Sequence, residues 1–156
     1  MLDAEMTTFL EGGSALIVGT VDPDGVPHAC RAWALDVVAA EPGRLRLLLD
    51  AHDLRARENL AAGAQVAVTA ADVLTLRSVQ LKGTSLGEEP MPDNVDERVA
   101  RYTGSFYDDI ETTDGTPRRV LERLTPGAVV AVGLTVGELY DQTPGPSAGQ
   151  RVGDER

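Results

Sequence analysis

The chain lacks the features that mark several large classes of protein, beginning with cysteine pairs. Cys30 is the only cysteine among the 156 residues, so no internal disulfide can form. One cysteine and no apolar leader predict a reducing, cytoplasmic setting. No run of the sequence approaches the roughly 20 apolar residues that a membrane-spanning helix needs.

Positive charge is also scarce. The formal net charge is −11 and the pI is about 4.5. Nucleic-acid-binding proteins present basic surfaces, so this balance argues against nucleic acid as a partner, and equally against an anionic membrane. Lys82 is the only lysine, and the arginines clustered in the first half of this acidic chain suggest a binding site.

Motifs of familiar catalytic sites are missing as well. The sequence contains no Walker loop, no dinucleotide fingerprint and no Gly-x-Ser-x-Gly element. His28 and His52 are the two histidines, and without nearby cysteines or a carboxylate pair they do not predict a zinc site. Cys30 has no histidine–carboxylate partners and is predicted to be a small core residue. The sequence therefore predicts no metal site and identifies no catalytic residue.

What the sequence does contain is a succession of short apolar runs separated by turn residues. Hydrophobic residues make up 42% of the chain, which indicates a globular protein. Alternation and branched residues predict strands over 14–21, 26–38, 45–49, 65–70, 74–86 and 128–136. Shorter helical stretches are predicted over 3–11, 53–62, 93–107 and 116–124.

Strands therefore dominate, and most are joined by hairpins. This order favours a mainly β fold, an antiparallel barrel with short helices, over a doubly wound sheet. Several strands are apolar on both faces, so one face must be covered by helices or by a second subunit. Residues 1–142 are predicted to form a single domain, and residues 143–156 an extended C-terminal tail.

Basic and polar side chains concentrate on three of the predicted elements. Arg31 lies on the second strand, and Arg55 and Arg57 lie in the first turn of the helix after the third. Cations beside the free N–H groups of a helix start form a pocket for phosphate. Ser78, Gln80 and Lys82 alternate along the fifth strand and make one of its faces polar. Together these residues predict a small barrel that holds a phosphorylated cofactor.

Four features in this order resemble the pyridoxamine 5'-phosphate oxidase-like flavoproteins, the FMN-binding split barrels. The resemblance covers roughly residues 5–87. The features are the turn Asp22-Pro23-Asp24-Gly25, the strand Arg31-Ala32-Trp33-Ala34-Leu35, the passage Asp53-Leu54-Arg55-Ala56-Arg57, and the strand 77–83. The resemblance implies a six-stranded antiparallel split β-barrel, Greek-key-like and flanked by helices, which forms a homodimer with FMN between the subunits.

The resemblance also implies roles for individual residues. Arg31 and Arg55 match the family's phosphate-binding positions, and Arg57 substitutes for a lysine that the family often has where this chain has Ala56. Ser78 and Gln80 match positions near the isoalloxazine ring or ribityl chain. The full set of implied cofactor-binding residues is Arg31, Ala32, Trp33, Asp50, His52, Arg55, Arg57, Ser78, Gln80 and Lys82.

The chain departs from the family pattern in two places. Asp50 and Asp53 stand where serine or threonine is frequent, and a carboxylate beside a phosphate is unfavourable unless an arginine pairs with it. The C-terminal substrate-binding segment of true pyridoxamine 5'-phosphate oxidases is not recognisable. The resemblance thus implies a flavin-dependent oxidoreductase acting on an unidentified small molecule, and not a true pyridoxamine 5'-phosphate oxidase. The alternatives are a non-catalytic barrel that binds or stores flavin or haem, and a barrel that uses a deazaflavin.

Overall fold

The helices and strands follow the predicted order along the chain. The computed structural model describes residues 2–153. The strands are β1 (Ala15–Val21), β2 (Pro27–Val37), β3 (Arg44–Asp50), β4 (Gln65–Ala71), β5 (Ser78–Glu89) and β6 (Val129–Asp141). The helices are α1 (Ala4–Glu11), α2 (Leu54–Asn59), α3 (Val95–Asp114) and α4 (Arg118–Leu121), with a 3₁₀ turn at Glu122–Leu124.

The six strands close into one antiparallel barrel in the order β1-β2-β3-β6-β5-β4. β1 closes it by pairing with β2 on one side and with β4 on the other. β3 pairs with β6, which is far from it in sequence, and this connection gives the Greek-key character. The predicted fold class, a mainly β six-stranded antiparallel barrel with short helices, is confirmed.

The barrel interior is filled by alternate residues of every strand. On β1, Leu16 and Val18 are almost completely buried, whereas Ile17 between them is 42% exposed. On β3 the pattern differs, because Leu47, Leu48 and Leu49 all have no exposed surface. Successive residues of a strand point to opposite faces, so both faces of β3 are buried and only one face of β1 is.

α1 and α3 pack on β2 and account for the covered part of the barrel. Trp33 lies outside the barrel core, in a second apolar cluster with Phe106 and Tyr107 of α3 and Leu121 of α4. The Tyr102 hydroxyl of α3 donates to the Leu10 carbonyl at 3.0 Å and ties α3 to α1. We call β3 and the second half of β2, residues 32–37, the covered wall.

β5 begins later than the sequence predicts. The predicted strand starts at Leu74, but residues 72–77 form the turn between β4 and β5. The Asp72 carboxylate accepts the backbone N–H groups of Leu74 and Thr75, and Leu76 takes φ = 62°. A residue in the left-handed region cannot continue a ladder, so the strand starts at Ser78. The apolar leucines that suggested a strand are exposed at the turn.

α3 and β6 are both longer than predicted. α3 runs to Asp114 and ends where Gly115 takes φ = 73°. β6 runs on to Asp141 because its second half pairs with β5, across a register shift after Lys82. Among residues 2–153, no helix is both long and apolar enough to cross a bilayer.

The segment predicted to be an extended tail turns back on the end of β6. Tyr140 forms an antiparallel bridge with Arg151, and the Val152 N–H donates to the Leu139 carbonyl at 2.8 Å. The turn is held by Asp141, whose carboxylate accepts from Ser147 at 2.7 Å. Pro144 and Pro146 interrupt any ladder here, as their missing N–H groups require. Residues 154–156 of the predicted tail lie outside the described residues.

Candidate cofactor-binding surface

One side of the barrel is left open by the helices. Among residues 2–153, no helix makes extensive contact with β4 or β5; α2 packs on β1 and reaches the far end of β5 through the Arg57–Glu88 pair. The strand registers align the outward positions into rows: Ile17 with Thr69 and Gln80, and Gly19 with Ala67 and Lys82. We call the outward positions of these three strands the open surface.

The middle of the open surface is apolar, and its small side chains leave it recessed below the neighbouring residues. Gly19 and Ala67 lie at its centre, and Ile17 and Val21 beside them are each 42% exposed. A cleft of about 260 Å³ lies over β1 and β4, and a second of about 460 Å³ lies mostly between β5 and β6; both are lined by Gln65 and Lys82. Small residues in the middle of a sheet let a flat ligand or another backbone approach closely.

The β5 side of the open surface is polar. The Gln80 side-chain amide donates to the Thr69 hydroxyl at 3.3 Å. The Lys82 ammonium lies 4.6 Å from the centre of the Tyr140 ring, in cation–π contact. The Tyr140 hydroxyl donates to Glu138 at 2.6 Å. Neither Tyr140 nor Glu138 stands out in the sequence, since both become neighbours of Lys82 only through the β5–β6 pairing.

Arg31 borders the open surface on the β2 side. It pairs across the ladder with Ile17, and its guanidinium lies 5.1 Å from the centre of the Phe106 ring and 6.0 Å from that of Trp33. Within residues 2–153 this guanidinium has no carboxylate partner. Aromatic faces hold the cation in place without neutralising it. Ala32, the next residue, is buried in the barrel core.

The start of α2 has a different character, because its polar groups bond to one another. The Asp53 carboxylate accepts the Ala56 N–H at 3.0 Å and lies 3.1 Å from His28 Nε2 through both its oxygens. Burial opposes ionisation, but these hydrogen bonds outweigh it and hold the pKa of Asp53 below its ordinary value. His28 of β2 is thus a direct partner of Asp53, the residue that caps α2.

The two arginines of α2 are paired with carboxylates. Arg55 lies 3.5 Å from Asp22 in the β1–β2 turn, with about half of its side chain exposed. Arg57 donates to Glu88 at 2.5 Å and to the Ala51 carbonyl at 2.9 Å. The hydrogen bond from Arg57 is the main cause of the lowered pKa of Glu88. The family's lysine position, Ala56, is completely buried.

The remaining predicted site residues lie apart from one another. His52 is exposed between β3 and α2, and its Nδ1 lies 3.2 Å from Asp50. Ser78 lies at the start of β5, where its hydroxyl donates to the Leu76 carbonyl at 3.0 Å. The structure therefore brings Gln80 and Lys82 together on the open surface with Arg31 at its border. It places Asp50, His52, Arg55 and Arg57 around α2.

Cys30 is set below the surface on the inner side of β2. Burial is the main cause that raises the pKa of its thiol to about 12, and the charge of Asp53 adds to it. A thiol with such a pKa carries almost no thiolate near neutral pH and is a poor nucleophile. The structure leaves Cys30 the role of a core residue.

The sequence profile of the family described as pyridoxamine 5'-phosphate oxidase matches residues 2–133. The chain therefore belongs to the pyridoxamine 5'-phosphate oxidase family, as its four sequence features predict. No curated protein sequence matches the chain.

Solved structures of similar fold share little sequence with the chain. HupZ of Group A Streptococcus is 17% identical with a TM-score of 0.57, over 96% of this chain and 100% of that one. A Lactobacillus delbrueckii protein provisionally assigned as a pyridoxamine 5'-phosphate oxidase is 21% identical with a TM-score of 0.53, over 88% and 93%. HutZ, the haem storage protein of Vibrio cholerae, is 14% identical with a TM-score of 0.51, over 90% and 94%. Identities this low show a shared fold.

The two candidate regions fit a flavin cofactor unequally. The open surface offers an apolar centre for a flat ring, and Arg31 and Lys82 at its edges have no carboxylate partner among residues 2–153. The start of α2 offers cations that are already paired and an N–H that is already bonded to Asp53. The open surface therefore has an apolar centre with cations at its border, whereas the cations of α2 are already paired with Asp22 and Glu88.

Proposed function

We propose that the chain is a flavin-binding oxidoreductase that works as a homodimer, with FMN held on the open surface between two copies. The observation that carries this proposal is the bare apolar side of β1, β4 and β5, bordered by Arg31 and Lys82, two cations that lie against aromatic rings in an otherwise acidic protein. Ile17 and Val21 are exposed there, and exposed apolar sheet faces are typical of ligand and subunit contacts.

The chemistry of the surface favours an anionic ligand with a flat apolar part. Arg31 and Lys82 would meet the negative charge of the phosphate and of the electron-rich edge of the ring. Gln80, whose amide already bonds Thr69, would contribute a further polar contact. Charge-assisted hydrogen bonds of this kind are about twice as strong as neutral ones.

A second copy of the chain would complete the site. The open surface is shallow, and a shallow surface leaves much of a flat ligand in water, whereas ligand sites normally bury most of it. A two-fold axis through the surface would place the same strands of a partner against it, and two-fold dimers are the commonest assemblies. The partner would also cover Ile17 and Val21.

When bound, the flavin supplies hydride or electron transfer. The chain itself would bind the cofactor, orient its ring and exclude water, and no residue of the open surface is needed as a general acid or base. The net charge of −11 disfavours an anionic substrate. We therefore propose a neutral or cationic small molecule as substrate rather than pyridoxamine 5'-phosphate.

Haem is the less favoured ligand. A haem site normally uses a side chain such as histidine to bind the iron. His28 is engaged with Asp53, and His52 lies beside Asp50, so neither histidine lies on the open surface.

The absorbance spectrum of the purified protein after incubation with FMN or haem, and removal of the excess, tests this proposal. Retention of the near-ultraviolet and visible absorption bands of oxidised flavin is the expected result. A Soret band with no retention of flavin would contradict it and favour haem binding. Steady turnover of pyridoxamine 5'-phosphate at about 1 per second or faster would contradict the proposed substrate class.

A further inference from the structure

The backbone N–H groups at the start of α2 already have a negatively charged partner within the protein, the carboxylate of Asp53. The resemblance to flavoproteins implies a cofactor phosphate near the start of α2, and there the Asp53 carboxylate already uses donors that a phosphate would need. It accepts the Ala56 N–H at 3.0 Å, and His28 Nε2 lies 3.1 Å from each of its oxygens. About a quarter of the Asp53 side chain is exposed, so water reaches it but a phosphate would have to displace it.

The two arginines of α2 that could attract a phosphate already pair with carboxylates of the protein. Arg57 is held by Glu88 on β5 and by the Ala51 carbonyl. Arg55 faces Asp22, whose other carboxylate oxygen accepts the Asp24 and Val26 N–H groups at 3.0 and 2.8 Å. Asp22 is therefore fixed in place by its own turn and is not free to move away from Arg55.

The balance of charge around the helix start is negative. Its carboxylates are Asp22, Asp50, Asp53, Glu58 and Glu88, and its guanidinium groups are Arg55 and Arg57. The neighbouring position that could add a cation is Ala56, a buried methyl group. An incoming phosphate would meet more negative than positive charge, and like charges at close range are repelled.

We infer that the start of α2 excludes phosphate in this chain, because the Asp53 carboxylate serves as an internal anion in its place. His28 and Asp53 then join β2 to α2 as part of the fold. A phosphorylated cofactor is anchored from the open surface, by Arg31, and not by Arg55 or Arg57. The exclusion of phosphate from α2 stands whether or not the protein binds flavin.

Inorganic phosphate, titrated into the ¹⁵N-labelled protein and followed by amide NMR shifts, tests this inference. The titration runs to about 20 mM, well above the roughly millimolar Kd of a weak site. The amides of residues 53–57 should not shift in the wild type. A saturable shift at these amides that disappears in Arg55→Ala would overturn the inference.

Asp53→Asn is the critical variant, since the amide keeps the shape of the side chain but removes its charge. Saturable shifts at residues 53–57 should appear in this variant. Asp24→Asn is the matched control, because it removes a carboxylate from the adjacent turn while leaving Asp53 in place, and it should behave as the wild type. If Asp53→Asn is as inert to phosphate as the wild type, the Asp53 charge is not what excludes phosphate, and the inference fails.

An FMN titration separates this inference from the proposed function. Arg55→Ala should bind FMN within about twofold of the wild type, because no phosphate contact is lost. A loss of about 10-fold or more in Arg55→Ala, with riboflavin unaffected, would place the phosphate at α2 and overturn the inference. A wild type that binds neither flavin counts against the proposed function alone, and the phosphate titration still decides the inference.

Discussion

β3 and β1 are strands of equal length in the same barrel, yet they meet their surroundings differently. Each runs for seven residues. Three consecutive leucines of β3 are fully buried, whereas on β1 buried residues alternate with Ile17 and Val21, which are exposed. Residues of the same chain bury both faces of β3, whereas one face of β1 stays exposed. We therefore expect truncations on the covered wall to cost the most stability, and we propose that the cofactor binds on the open surface.

Truncation of a leucine on the covered wall should have the largest effect. Leu48→Ala should lower the free energy of unfolding by about 2–5 kcal/mol, because it opens a cavity in a closed core. Ile17→Ala on the open surface should cost less than about 1 kcal/mol at protein concentrations where the chain is monomeric. Urea unfolding measures both. Its dependence on concentration sharpens the comparison, since the cost of Ile17→Ala should grow as the dimer forms.

A charge at the centre of the open surface should break the dimer without unfolding the chain. Ala67→Glu would place a carboxylate in the interface of each copy, opposite Lys82 across the β4–β5 ladder. Burying this ion pair costs desolvation that the apolar contact does not, and we expect the dimer Kd to rise at least about 100-fold. Light scattering should then give the mass of one chain for the variant and of two for the wild type. Ala40→Glu, in the exposed turn before β3, is the control and should remain dimeric. Equal masses for Ala67→Glu and the wild type would show that the open surface is not the interface.

Arg31 lies between the covered wall and the open surface. Its guanidinium packs on the Phe106 ring of α3 and borders the open surface. Arg31→Ala should weaken FMN binding by about 10- to 100-fold, the effect of losing one charge-assisted phosphate contact. Riboflavin, which lacks the phosphate, should bind the variant and the wild type alike. Fluorescence titrations of both flavins measure this, and an equal loss for FMN and riboflavin would exclude a phosphate contact at Arg31.

The smallest effect should be a change in acid stability on the covered side. Burial of Glu89 opposes its ionisation, but its hydrogen bonds with Arg44 and Arg46 hold its pKa below the ordinary value of 4.5. A lowered pKa in the fold stabilises the protein above the ordinary pKa, and this stabilisation is lost as the pH falls through the folded-state value. The free energy of unfolding of Glu89→Gln should therefore fall less steeply than that of the wild type on the acid side of pH 4.5. Identical slopes would contradict this assignment.

The fold could be predicted from the sequence because its signals are local. Alternation on β1 and the turn residues at Asp22-Pro23-Asp24-Gly25 determine the hairpins with little help from distant contacts. The predicted start of β5 is wrong because Leu74 and Leu76 alternate as in a strand, whereas Asp72 turns the chain through hydrogen bonds that apolar periodicity does not show. The extent of β6 was also missed, since its second half depends on pairing with β5.

The candidate site could be predicted only in part, for a physical reason. A sequence shows which residues carry charge but not which charges neutralise one another. Arg31 and Arg55 look equivalent along the chain, and the fold places one on aromatic rings and the other against Asp22. The pairing of His28 with Asp53 joins residues 25 positions apart. Without the β2–α2 contact nothing marks them as partners.

The most direct test of the account is a titration of FMN into the wild type and Ala67→Glu, followed by the quenching of flavin fluorescence. The central claim is that the flavin and the second copy share the open surface. The wild type should bind FMN saturably, and Ala67→Glu should not bind it while keeping the circular dichroism spectrum of the wild type. Binding of FMN to Ala67→Glu with the affinity of the wild type would contradict the claim and place any flavin elsewhere on the barrel.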